Sequence, residues 1–384
     1  LLSYLRDTVD KAYQHGSLDH QVGLIACAYE GTSTIWGPTK PIPKNILDAG
    51  DYVIFFPIRR CYAHAFSDTT CDINRIYNDA LGTWFKQKLN LPVVIGEYYN
   101  VSRFEDLPIL FTGCMYRDFS YYHSTGVTGV TYMHIPLVNW GIRTLTQVLY
   151  AQLAWSVKTD LDIFLEEFFQ NWYGPYADDL RKVYDLMEKA WLFSADWRSW
   201  FDRSILTKLN EWDGCRPDAP FKLENHFKSS RGAIKSGRQS IAFMLEAKKI
   251  LSEVRSHDRI LNSRKSSMFM HTAVNPIEAA KVQREDSYEM RLGEDYRLLI
   301  YGLDTMKIMT ELVAYHDALF KNYLKYAERI WQKIERIAEK LDSYYIPIGF
   351  EEPGAGLISK DALTRTQVRY LLRRIRKSRY ENYY

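Results

Sequence analysis

The chain has 384 residues, more than one average domain needs, and it sets 50 Lys and Arg against 47 Asp and Glu for a formal charge of +3. That balance gives no reason to expect a polyanion partner for the whole molecule, and no run of about 18 apolar residues offers a membrane span. Aromatic residues reach 15%, a surplus that suits pockets for ring-shaped ligands as well as large cores.

In chain order, LLSYLRDTVDKAYQ carries apolar residues at helical spacing, without an initiator Met or a charged leader; neither a signal peptide nor an intact start is expected, and the chain reads as truncated or processed. QVGLIACAYEGT reads as a buried strand that ends at Tyr29 and Glu30, and DYVIFFPIRRCYAH as a second. NRIYNDALGTWFKQKL is expected as a helix, LPVVIGEYYN as a third strand, LPILFTGCMYRDFSYYHSTG as a helix and VTGVTYMHIP as a fourth strand. Apolar strands alternating with helices predict a parallel sheet covered on both faces.

A doubly wound sheet and a (β/α)₈ barrel both fit this alternation. No GxGxxG or GxxxxGK[ST] loop follows any strand, and polar and aromatic residues sit at the C-terminal end of every strand, which is where barrel enzymes place their sites. The expected fold class is therefore α/β, with half of a (β/α)₈ barrel over residues 1–145. Helical patterning takes over beyond that point and predicts an α-helical domain over residues 146–345. In TDLDIFLEEFFQNWYG, Thr159 or Asp160 can cap, Leu161, Phe164, Leu165, Phe168, Phe169 and Trp172 form an apolar face, and Gly174 and Pro175 punctuate the end. The loop EWDGCRPDAP, 211–220, separates early helices from later ones.

Residues 346–384 form a basic tail, with Arg365, Arg369, Arg373, Arg374, Arg376, Lys377 and Arg379 close together. Clustered Arg can neutralise phosphates. Val368, Leu371, Leu372 and Ile375 interleave at helical spacing, however, so a docked amphipathic helix is the preferred reading and nucleic acid is not the expected partner.

The candidate chemistry lies at the strand ends. Period two puts Ile95, Glu97 and Tyr99 on one face and Val94, Gly96 and Tyr98 on the other. If the first set faces the barrel axis, Glu97 stands at the mouth as base or nucleophile; the alternative is a Glu held by a neighbouring Arg in a structural ion pair. Glu30, above the small Ala26 and Ala28, would be the second carboxylate of a glycosidase pair. Arg59 and Arg60 are adjacent and cannot both point inward; Arg60 and His64 are the expected sugar ligands, with Asp68 nearby. Trp36, Tyr99, Tyr132, His134, Asn139 and Trp140 would line a subsite, since rings stack on pyranose faces while polar edges bond hydroxyls.

The five cysteines, Cys27, Cys61, Cys71, Cys114 and Cys215, contain no CxxC pair and are expected as reduced structural thiols. No His/Cys/Asp cluster has metal spacing and no GxSxG elbow is present, so neither a metal nor a cofactor is expected.

Together LIACAYEGT, FFPIRRCYAHAFSDTTCDIN with GTWF, VVIGEYYN, GVTGVTYMHI and FLEEFFQNWYGPYADDLRKVY resemble the bacterial domain of unknown function 4838, which is similar to family 67 α-glucuronidases and family 20 hexosaminidases. The likeness covers about residues 1 to 200 and is most specific in RCYAH and WYGPYA. It implies that the four strands are the fifth to eighth of a barrel followed by a helical domain, and a carbohydrate-active, hydrolytic role on an oligosaccharide, with a uronic acid as one option. A non-catalytic carbohydrate-binding or scaffold protein is the alternative. Arg60, Cys61 and His64 carry over as family-like positions without assigned roles. In many glycosidases of this type the acid lies on the fourth strand, so an N-terminal half of the same protein would supply it. The family's context is bacterial, with export as one option; homo-oligomerisation is left open.

Overall fold

The computed structural model describes residues 2–29, 35–58, 60–85, 91–99, 107–132, 141–193, 230–270, 288–344, 372, 373 and 376. They divide into two compact units, one of Leu1–Val101, Phe111–His134 and Val148–Thr159, the other of Ser102–Leu110, Ile135–Gln147 and Asp160–Tyr384. The boundary expected near residue 145 thus falls inside a helix, Thr144–Trp155.

The first unit is α/β. Helix α1, Leu2–Gln14, is tied down by a buried Arg6, which donates to Val22 O at 2.7 Å and to Asp51 Oδ1 at 3.0 Å. Asp51 also accepts from Leu24 N at 2.6 Å. Because Leu24 precedes β1, Ile25–Tyr29, and Asp51 precedes β2, Tyr52–Phe56, one ion pair fixes the helix to the N-terminal ends of two strands. A short helix α2, Lys44–Asp48, lies between these strands. The second strand stops at Phe56, earlier than the apolar run suggests. Pro57 has no N–H for the ladder, and the chain turns there through Ile58 N to Phe56 O and Arg60 N to Pro57 O.

Helix α3, Asp72–Phe85, leads to β3, Val93–Glu97, and α4, Thr112–Thr125, to β4, Gly129–Tyr132. Gly126 ends α4 at φ 95°, a left-handed conformation that costs glycine little, and donates to His123 O and Tyr122 O. The four strands are parallel and follow one another in space as in sequence, β1-β2-β3-β4.

Register aligns Ala28, Phe55, Ile95 and Val130 across the sheet. This face, with Val53 and Val93, packs with Tyr77, Ala80 and Leu81 of α3 and Tyr122 of α4 in one core. The opposite face is only partly covered: Ile25 and Cys27 are exposed and Tyr52, Ile54, Phe56 and Val94 are half-buried, while Gly96 and Tyr98 are buried. The expectation of a sheet covered on both faces is corrected for β1 and β2, which alternate in burial as half-covered strands do, whereas β3 is buried at all but Val94.

The second unit is helical among its described residues. Asp160 caps α6, Leu161–Tyr173, by accepting from Asp162 N and Ile163 N at 3.0 and 3.1 Å, and Gly174 and Pro175 start a single turn before α7, Ala177–Phe193; α5, Thr144–Trp155, belongs to the first unit from Val148 onward. Then come α8, Ser230–Met270, α9, Glu289–Phe320, and α10, Leu324–Tyr344. Helix α9 packs against both α8 and α10 and is buried on nearly all sides, as a central helix must be. Helix α10 buries one stripe, Ala327, Ile330, Trp331 and Ile334. Of the basic tail, Leu372 is buried and Arg376 Nε donates to Glu335 of α10 at 2.8 Å; the other basic residues of the tail, apart from the exposed Arg373, lie outside the described residues, as does the loop 211–220. No helix among the described residues is long and apolar enough to cross a membrane.

Candidate functional site

Glu97 ends β3 with the parity of Val93 and Ile95, so it points into the helix-covered side of the sheet. The conditional expectation that this parity faces a barrel axis is therefore corrected: Val94, Gly96 and Tyr98 occupy the side away from α3 and α4. Alternation along a strand is the same whichever face is inward, and only the helices decide between them.

Glu97 is fully buried and so is Asp118 of α4; the guanidinium of Arg60 lies between them. Arg60 Nε stands 3.2 Å from both Glu97 oxygens, and Nη2 donates to Asp118 Oδ2 at 2.5 Å and to the Tyr99 hydroxyl at 2.9 Å. Tyr62 donates to Glu97 Oε2 at 3.1 Å, and Tyr122 donates to Oε1. Asp118 accepts from Tyr99 at 2.6 Å, from Cys114 Sγ at 3.3 Å and from Phe66 N at 2.6 Å. The Arg60 carbon also sits 4.2 Å from the centre of the Tyr62 ring.

Two carboxylates around one guanidinium leave one negative charge over. Burial above all, then Asp118, raises the Glu97 carboxyl against the opposing pull of Arg60. Burial likewise pushes the hydroxyls of Tyr62, Tyr99 and Tyr122 well up, so they stay neutral donors. The arrangement is a buried ion-pair network in which Arg60 Nη1 alone of the guanidinium nitrogens finds no hydrogen-bond acceptor among the described residues.

Asp118 was not legible as a site residue from strand ends. Its signal lies elsewhere in the sequence: Cys114, Asp118 and Tyr122 recur every four residues, one stripe of α4. All three side chains of that stripe are buried, and Asp118 and Tyr122 both bond the ion-pair network.

Of the other expected ligands, Tyr99 lies wholly within this network. Tyr132 ends β4 opposite Glu97 in the register, donates its hydroxyl to Tyr99 O, and stacks on Tyr150 with centroids 4.6 Å apart. Trp36 is 44% exposed. Glu30, Arg59, His134, Asn139 and Trp140 lie outside the described residues.

On the less covered face, three rings cross the C-terminal end of the sheet. Tyr29 of β1 and Phe56 of β2 are register partners with centroids 6.0 Å apart, and Phe56 lies 5.9 Å from Tyr98 beyond β3. Gly96 makes room for this row: a Cβ there would stand 2.1 Å from Phe56 Cε1.

The loop between β2 and α3 carries a second polar group. His64 Nδ1 is 3.3 Å from Cys61 Sγ, and Cys71, just before α3, brings its sulfur to the same place; the three ligand atoms all lie within 4.8 Å of one another. Sequence spacing of C-x₂-H-x₆-C did not suggest this, because the loop folds back on itself. Asn74, fully buried in the first turn of α3, closes it by accepting from Cys61 N at 2.8 Å and donating to Cys61 O, His64 O and Ala65 O at 3.0, 3.2 and 2.9 Å. A hydrogen bond from Cys61, then bonds from His64 and the Asn74 amide, pull the Cys71 thiol down to about 4, against the opposing effect of burial. Cys27, Cys61, Cys71 and Cys114 all carry thiols, in no disulfide.

Comparison with protein-family models, with curated proteins and with solved structures returns no match to this chain.

Proposed function

We propose that the chain is a glycoside hydrolase-like protein that holds an oligosaccharide, including one with a uronic acid, at the C-terminal end of its parallel sheet. The observation that carries this reading is the ring row on the less covered face, in which Tyr29 and Phe56 are half-buried and Tyr98 is buried beside them. Such rings offer flat apolar faces to pyranose C–H groups, and phenol edges to hydroxyls. The sequential parallel order of the strands supports half of a (β/α)₈ barrel, because a doubly wound sheet reverses its order at a switch point. In a barrel of this kind the side away from the helices lines the axis, and the ring row would face it.

In this reading Glu97, Arg60 and Asp118 are the frame that holds the ends of β2, β3 and α4 in place beneath the sugar. A specific observation also favours a second reading, in which the protein binds carbohydrate without hydrolysing it. Glu97, the one strand-end carboxylate among the described residues, is buried and ion-paired on the helix side. A nucleophile or base must reach the sugar carbon or its water.

The two readings separate in one experiment on the full-length protein. Calorimetric titration with neutral and uronic-acid oligosaccharides should show binding that Tyr29→Ala weakens about tenfold, a loss of about 1.4 kcal/mol. Turnover of the bound sugar would establish the hydrolase, and binding without turnover the binding protein. Failure to bind any member of the panel would remove both. Turnover abolished in Glu97→Gln with its melting temperature unchanged would return the catalytic role to Glu97.

A further inference from the structure

We infer that Cys61, His64 and Cys71 form a binding site for a thiophilic divalent cation of the zinc class. The donor set is the first argument: two sulfurs and one imidazole nitrogen are the ligands that zinc takes in four-coordinate sites. Geometry is the second. Zinc–sulfur and zinc–nitrogen bonds of about 2.3 and 2.0 Å set about 3.5 Å between ligand atoms at a tetrahedral centre. Cys61 Sγ lies 3.3 Å from His64 Nδ1, and Cys71 closes the triangle within 4.8 Å. Little movement is needed to admit the ion.

Preorganisation is the third argument. Asn74 holds the backbone at both Cys61 and His64, and Cys114 Sγ donates to His64 O at 3.3 Å, so two of the three ligands are fixed from behind by the chain that carries them. Cys71 is fixed by the start of α3, where Arg75 N donates to its carbonyl. Cys61 and Cys71 are half-buried, so an ion can enter from solvent, and no fourth His, Cys, Asp or Glu joins the three among the described residues, which leaves a position for water or an incoming ligand. Two thiolates balance the charge of a divalent ion, and any thiol proton displaced passes to solvent.

The test is titration of the reduced, chelator-treated full chain with Zn²⁺ or Co²⁺ alone. One ion should bind per chain, and Co²⁺ should give a thiolate-to-metal charge-transfer band with the visible bands of a tetrahedral site. Cys61→Ser and Cys71→Ser should each weaken Zn²⁺ binding at least about 100-fold, and Cys27→Ser should leave it unchanged. His64→Ala removes a surface side chain and should weaken binding at least about 10-fold with the fold intact, which keeps the test valid if a cysteine variant does not fold. The site is refuted if the wild type binds Zn²⁺ no better than His64→Ala, or if Co²⁺ binds without a thiolate band. It is also refuted if Cys61 and Cys71 form a disulfide whose reduced form ignores both ions.

Discussion

Two buried carboxylate clusters, one in each unit, solve the same problem differently. In the α/β unit Glu97 and Asp118 share Arg60 and accept from Tyr62, Tyr99 and Tyr122. In the helical unit Asp295 of α9, 1% exposed, accepts from Tyr173 at 2.5 Å, and Tyr173 in turn meets Tyr184 at 2.7 Å. Tyrosine donors serve both, but no Lys or Arg ion-pairs with Asp295 among the described residues. Burial accordingly pushes Asp295 up to about 8, so it holds its proton at neutral pH. A buried acid is balanced either by a cation or by its own proton, and the choice sets what each unit will tolerate.

The largest loss should come from taking the cation away. Arg60→Ala strands Glu97 and Asp118 in the interior and should cost about 3–5 kcal/mol in urea denaturation. Glu97→Gln leaves Arg60 and Asp118 as a neutral pair and should cost only about 1 kcal/mol. If the two variants lost equal stability, the charge-balance account of this cluster would be wrong.

Asp295 should respond in the opposite sense. Its folded value of about 8 stands above the ordinary 3.8, so the stability that its proton contributes is fully present below the ordinary value and is lost as pH climbs to about 8. Asp295→Asn keeps an acceptor for Tyr173 and removes the charge. At pH 8 it should therefore be more stable than the wild type by about 5 kcal/mol, with the advantage nearly gone near pH 4. Melting temperatures of both proteins across that range measure it, and parallel curves would mean that Asp295 is ionised and compensated.

The smallest effect sharpens the contrast. Tyr62→Phe removes one of several donors to Glu97 and should cost about 0.5–1.5 kcal/mol, because Arg60 and Tyr122 still hold the carboxylate. A loss as large as that of Arg60→Ala would make the hydroxyls, and not the guanidinium, the main support.

Much of this was open to reading in the residues themselves. Apolar runs such as LPVVI, bounded by helical patterns, gave all four strands, and Asp160 and Gly174 marked the ends of α6 where expected. The possibility that Glu97 is held by a neighbouring Arg was also legible, since RRCYAH offers two. Which Arg, and with what second carboxylate, was not: Asp118 sits 58 residues from Arg60 and is brought there by the packing of α4. Cys71 likewise meets Cys61 and His64 only because Asn74 folds the loop between them.

The sequence by itself determined the alternation of strands and helices, and the division of residues 93 to 99 into two sets by period two. It left open which set faces the helices, because a strand pattern reads the same after its two faces are exchanged. Only the tertiary structure broke that symmetry, when α3 and α4 packed on Val93 and Ile95 and drew Glu97 inward with them. Tyr98, two residues on from Gly96, was thereby left on the side away from those helices, buried against Phe56.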